Sequence, residues 1–189
     1  MSKILQFKIS LKRSNPKIWR RFQIENNLMF FDLHLVIQGV MGWTNTHLYQ
    51  FVYEKNSYIG NPEMLDYYDV SDDKITELSV FFDKSKMKIL YEYDFGDDWV
   101  HELVLEKILD KNDTQQYPIC LEGELACPIE DSGGIFGYYN LMEKYNNSKD
   151  DEHSDTVEWV GEDFNPEFFD IESVNEILKD YKRIDLGFN

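Results

Sequence analysis

A chain of 189 residues, 42% hydrophobic and 15% aromatic, carries enough apolar side chain for one packed core, which excludes wholesale disorder. Its formal charge of −17 sets up a field that repels nucleic-acid phosphates and anionic membranes, so direct nucleic-acid binding is not expected. No stretch approaches the roughly 20 apolar residues of a membrane-spanning helix, and Met1 to Gln6 alternates instead of forming a signal peptide's apolar block, so the expected location is cytoplasmic, with no membrane partner.

The charge is uneven. Residues 1–21 carry seven basic side chains, among them Arg20 and Arg21, and no acidic one, leaving 12 basic against 36 acidic in the remainder. Such a basic edge could hold a single phosphate, although solvated lysines on a strand are the more ordinary reading. Two cysteines are too few for a disulfide framework, and a reducing compartment disfavours a bridge.

In chain order, Ile4, Phe7, Ile9 and Leu11 among polar neighbours predict a half-buried strand, and Asn15-Pro16 a turn. Ile18, Arg20, Phe22 and Ile24 alternate with Trp19, Arg21 and Gln23, a second strand. Residues 31–42 read as a helix with Asp32 as its cap and Gly42 as its stop. His47 to Tyr53 returns to strand chemistry, and residues 54–74 read as loop. Leu78 to Phe82 is short and ambiguous. Lys86 to Phe95 and Trp99 to Ile108 predict a hairpin, with Gly96-Asp97-Asp98 supplying the positive φ of a tight turn. Residues 109–134 show no period and read as one long loop. The last third is helical: Tyr138, Leu141, Met142 and Tyr145 make one amphipathic stripe, Val157, Trp159 and Val160 follow an acidic opening that suits a helix start, and Ile171, Val174, Ile177, Leu178 and Tyr181 form the closing helix. The expectation is a single α+β domain over residues 1–189. It would have an antiparallel or mixed sheet, one early helix and a helical C-terminal portion over residues 135–185.

Chemistry concentrates between Tyr91 and Gly134. Trp99, His101, Leu103 and Leu105 share one strand face, so His101 reads first as a core residue, with Asp97 and Asp98 at the same hairpin end able to orient it. Asp94-Phe95-Gly96 matches the magnesium triplet of protein kinases, but no glycine-rich loop, strand lysine or catalytic loop accompanies it. Cys120 and Cys127 lack the close spacing of zinc pairs, so a zinc site would need His101, His153, Glu130 or Asp131 from elsewhere. Gly133-Gly134 ahead of the Tyr138 helix could present N–H groups to an anion, or simply turn the chain. No serine elbow, zinc-protease helix, Walker loop or dinucleotide fingerprint occurs.

Several of these motifs together are similar to the plasmid pRiA4b open-reading-frame-three-like family. They are Pro16 to Arg21, Leu33 to Gln38 with Gly42-Trp43 and His47-Leu48, Tyr91 to Trp99 with His101, and the Cys120 to Gly134 loop. The resemblance continues through Trp159-Val160-Gly161 to Asn165-Pro166 and spans nearly the whole chain. It implies a fold more than a role, since the family's biochemical role is not established. A resolvase-like label attached to some relatives, as insertion-element passengers, is not carried over, because neither a serine nor a tyrosine recombinase motif is present. The family usually has two prolines after the second cysteine, whereas Pro128 is followed here by Ile129.

The reading these features support is a binding or interaction module for a protein or small-molecule partner. Its expected cleft lies between the Phe95–His101 hairpin end and the Cys120–Gly134 loop. Trp99 and Tyr138 would give apolar contact, Arg20 and Arg21 anion contact, and Asp97, Asp98, Glu130 and Asp131 a preference for basic groups or cations. A rival is metal-assisted hydrolysis, with zinc held by Cys120, Cys127 and His101 and Glu130 or Asp131 as base. A third is an acidic mimic of nucleic acid.

Overall fold

The computed structural model describes residues 2–55, 57–65 and 70–188. Eight strands form one sheet: β1 (Lys3–Leu11), β2 (Trp19–Glu25), β3 (Tyr49–Glu54), β4 (Ser57–Gly60), β5 (Val70–Asp72), β6 (Lys88–Tyr93), β7 (Trp99–Asp110) and β8 (Ile119–Glu124). Their order is β5-β4-β3-β6-β7-β1-β2-β8, and every neighbouring pair is antiparallel except β4 with β5. The helices are α1 (Phe30–Met41), α2 (Leu78–Phe81), α3 (Gly134–Asn146), α4 (His153–Val160) and α5 (Ile171–Leu178), followed by a 3₁₀ segment over Tyr181–Phe188. This is an α+β fold, the class expected from the order of periodic segments.

The strand period decides which side chains meet. On β7, Trp99, His101, Leu103 and Leu105 are buried while Val100, Glu102, Val104 and Glu106 are not. The buried face joins Phe7, Ile9, Phe22, Phe51 and Tyr91 from the neighbouring strands. Aromatic rings interlock there, Phe7 against Phe82 at 4.9 Å and Phe30 against Phe51 at 5.1 Å, both edge to face. The opposite face is polar. Gln23 donates to Gln6, Gln6 to Glu106, and Arg21 to Glu106 and Glu122, a ladder across β2, β1, β7 and β8.

Helix α1 is buried on nearly all sides: only Phe31 and Asp32 escape full burial, because α5 and the Tyr181–Phe188 segment cover it from outside. Its polar residues therefore need internal partners. Gln38 donates to the Tyr91 hydroxyl at 2.9 Å, and the hydroxyl lies 2.9 Å from His34 Nδ1, while His34 Nε2 lies 2.8 Å from Asn45 Oδ1. Asn45 N–H in turn donates to Gln38 Oε1 at 2.9 Å. That pattern assigns a neutral His34 with its proton on Nε2.

Four local expectations are corrected. Asp32 is not the N-cap but the third residue of the helix, within its first turn, and its carboxylate accepts the Met29 N–H at 3.1 Å. Of the Gly96-Asp97-Asp98 turn only Asp98 is left-handed (φ 56°), and Asp94 before it (φ 55°) takes the second such position in place of Gly96. Residues 109–134 are not one loop, because Ile119–Glu124 pairs with β2 as β8. Residues 54–74 likewise contain β4 and β5, with 56 and 66–69 of that stretch outside the described residues. The ambiguous Leu78 to Phe82 stretch contains the short helix α2.

At one end of β2 the alternation places Arg20 on the core face, 1% exposed. Among the described residues its guanidinium meets no carboxylate. It donates instead to the carbonyls of Val40, Trp19, Glu124 and Leu125 at 2.7–3.0 Å and lies 3.9 Å over the Phe169 ring. Gly123, opposite Arg20 in the β2–β8 register, leaves room for that stack, since a Cβ there would come within 2.6 Å of Phe169. Arg20→Lys keeps the charge but cannot reach four carbonyls, so it should cost about 2–4 kcal/mol in urea unfolding. Unchanged stability would contradict this role.

Acid should weaken the fold through two histidines. Burial pushes His34 down to about 3 and His101 to about 4, from 6.5. The folded state therefore takes up these protons far later than the unfolded chain. Their stabilisation is full above about pH 6.5 and is lost as pH falls towards 4. Between pH 7 and pH 5 the loss should be about 2 kcal/mol per histidine. Urea curves at pH 5, 6 and 7 check this, and a flat profile would contradict it.

Candidate functional site

The hairpin turn is built by its own aspartate. Asp94, left-handed and buried, accepts the N–H groups of Gly96 at 3.0 Å and Asp97 at 3.3 Å on Oδ1. Asp97 reaches across to accept the Gly133 N–H at 3.0 Å, so a carboxylate of the protein itself already faces the start of α3. The approach is close: at Gly134, φ +70°, a Cβ would lie 2.3 Å from the Asp97 carbonyl oxygen. The hairpin end and the loop before α3 thus meet directly.

From this contact the loop over residues 126–133 runs back towards the segment joining α1 to β3. Trp43 donates its indole N–H to the Pro128 carbonyl at 3.1 Å and stacks on Tyr93 at 4.9 Å. Glu130 accepts from the Tyr93 hydroxyl at 2.5 Å, from the Thr44 hydroxyl at 2.7 Å and from the Thr44 N–H at 3.1 Å. Burial, then the Glu130 hydrogen bond, raises the Tyr93 phenol well above its ordinary value, so it stays a donor.

Next to this clamp, His47 sits between two carboxylates. Its Nδ1 lies 3.7 Å from Asp94 Oδ2 and its Nε2 lies 3.2 Å from Asp131 Oδ1. One ligand atom from each of His47, Asp94 and Asp131 falls within 4.8 Å of the others, close enough to share a metal ion. Among the described residues this is the group of three or more His, Cys, Asp or Glu that converges in this way. Asp94 is fixed through its second oxygen in the turn, whereas Asp131, also left-handed (φ 60°), is largely exposed. One donor is preset and one is free to adjust.

The other expected site residues fall elsewhere. Arg20 spends four of its five N–H groups on carbonyls and is 1% exposed, so no outside anion reaches it. Arg21 lies on the polar sheet face, paired with Glu106 and Glu122. Asp98 forms a surface pair with Arg13 at 3.2 Å. Trp99 and Tyr138 are buried in the core, 1% and 4% exposed, and burial lifts the Tyr138 phenol to about 12. His101 is wholly buried, its Nδ1 3.3 Å from the Tyr91 carbonyl and its ring edge-on to Trp43.

Cys120, Cys127 and His101 do not form a convergent metal group among the described residues. Burial raises the Cys120 thiol to about 11 and the Cys127 thiol further, against the opposing pull of Arg20, so both carry protons near neutrality. Cys120 packs in the core, with its backbone N–H and C=O both held by the Asn175 amide. His153, the other distant candidate, sits at the start of α4 with Nδ1 on the Lys144 carbonyl.

Of the expected residues, then, Asp97, Glu130 and Asp131 come together, and His47 and Asp94 join them unanticipated. Asp94 lay inside the quoted hairpin motif and His47 inside the Gly42 to Leu48 motif. Only the sheet's pairing of β3 with β6, and the Asp94 N–H to Leu48 C=O bond at 2.8 Å, bring the two together.

Three comparisons bear on this architecture. A protein of Sinorhizobium fredii, y4hQ, described as uncharacterised, is 30% identical over 161 residues, 85% of this chain and 82% of that one. The crystal structure of the protein of unknown function MM3350 from Methanosarcina mazei is 40% identical, covers 91% of this chain and 97% of its own, and superposes with a TM-score of 0.80. The family model described as plasmid pRiA4b ORF-3-like protein matches residues 3–173, and the chain belongs to that family.

Proposed function

We propose that this protein is a binding module whose recognition surface is the junction of the α1–β3 segment, the Asp94–Asp98 turn and the 126–133 loop. It engages its ligand through a divalent cation held by His47, Asp94 and Asp131. The observation that carries this reading is the convergence of one imidazole and two carboxylates within 4.8 Å. A mixed nitrogen and oxygen set of this kind suits manganese, iron or zinc. Three protein donors leave coordination positions open for water or for a donor atom of the ligand.

Two features support the reading. Among the described residues, the ion pairs of Asp94 and Asp131 are with His47 alone, so no lysine or arginine has to leave before a cation enters. The Glu130 clamp also holds the neighbouring Asp131 against the α1–β3 segment whether or not an ion is present. The acidic mimic needs no such convergence and gains nothing from it.

The test is calorimetric titration of chelator-stripped protein with MnCl2 and ZnCl2. One ion per chain should bind, and His47→Gln and Asp131→Asn should each weaken it about tenfold or more while circular dichroism stays unchanged. Saturable binding that ignores both substitutions, or no binding at all, would overturn the proposal.

A further inference from the structure

A cavity of about 120 Å³ opens between α1, the α1–β3 segment and residues 61–65 after β4. Phe31, Leu48, Met64 and Leu65 give it apolar walls, and Tyr49 and His34, their rings stacked on each other at 3.3 Å and 4°, complete the lining beside them. Into this lining projects one acid. Asp73 is 0% exposed; its Oδ2 accepts the Tyr49 hydroxyl, and its Oδ1 is buried with no hydrogen-bond partner among the described residues.

An unsatisfied buried carboxylate oxygen costs stability unless something donates to it. The Asp73 backbone is fixed, its N–H donating to the Gly60 carbonyl at 3.1 Å and its carbonyl accepting the Phe31 N–H at 3.0 Å, and the Tyr49 hydroxyl holds the carboxylate through its other oxygen. Lys74 pulls on Asp73 only from a distance: its ammonium lies over the Phe31 ring, 5.1 Å from the centroid, and forms no salt bridge with Asp73 among the described residues. The size is close to the roughly 150 Å³ cavity that accommodates benzene.

We propose that this pocket binds a compact apolar molecule bearing a protonated amine or amidine, whose N–H groups donate to Asp73 Oδ1 while its body lies against the apolar walls of Phe31, Leu48, Met64 and Leu65. A charge-assisted bond is the strongest partner a buried carboxylate can take, and the chain's net charge of −17 draws cations and repels anions. Desolvation raises the Asp73 carboxyl above its ordinary value, a penalty on the ionised form that a cationic donor would offset. The proposal does not rest on the cation site, although His47 contributes to both walls.

The test is titration of the whole chain, in buffer containing EDTA, with benzylamine, benzyl alcohol and benzoate, followed by two-dimensional amide NMR. Benzylamine should bind saturably at one site and shift the resonances of Tyr49, Leu65 and Asp73, while benzoate should not bind. Asp73→Asn should weaken benzylamine at least about tenfold, the size expected for losing a charged hydrogen bond. Leu48→Trp, which fills the pocket from its rim without touching Asp73, should abolish the shifts. The proposal is overturned if benzylamine fails to bind, if benzoate binds as well, or if either folded variant binds like wild type.

Discussion

The buried guanidinium of Arg20 is the constraint on which the rest of the site depends. Removing a charge from water is expensive, and a full complement of hydrogen bonds is what makes it tolerable. Here the acceptors are carbonyls of three different segments: the end of α1 at Val40, β2 at Trp19, and the exit from β8 at Glu124 and Leu125. One side chain therefore ties the helix, the sheet edge and the start of the following loop together. Desolvation lowers the Arg20 pKa, and the nearby Cys127 and Cys120 pull the other way.

From that anchor the loop's course follows in steps. Pro128 is held by the Trp43 indole, Glu130 by Tyr93 and Thr44, and Gly133 by Asp97, so Asp131 is delivered beside His47. The other half of the cluster is set from beneath. The His34, Gln38, Tyr91 and Asn45 network fixes the first residues after α1, and Asn45 is two residues before His47. A fully satisfied buried network of this kind rigidifies what it touches. Fold stability and site geometry are thus set by the same hydrogen bonds, and lowering the pH should loosen both by charging His34.

Much of the frame was legible in the sequence because period-2 and period-3.6 patterns report which face is buried. The alternation that put Arg20 among Ile18, Phe22 and Ile24 pointed to its burial, yet the functional reading treated it as an anion contact. A residue type suggested exposure where the strand pattern indicated the core. Trp99 and Tyr138 misled in the same way, as large aromatics near a loop that belong to the core. β8 was missed because Ile119–Glu124 has little apolar alternation and is held largely by main-chain pairing with β2 and by the Asn175 amide. The Asp94, His47 and Asp131 cluster joins three segments far apart in the chain, so no spacing rule could group them. Asp73 fell inside the stretch read as loop, and only the fold reveals that Asp72 turns the chain while Asp73 is sealed inside.

The most direct test of the cation reading is anomalous diffraction from crystals grown with manganese. It predicts one strong peak at roughly 2.0–2.3 Å from a His47 ring nitrogen and from carboxylate oxygens of Asp94 and Asp131. A manganese-containing crystal with no peak there, or with its peak beside Cys120 and Cys127, would contradict it.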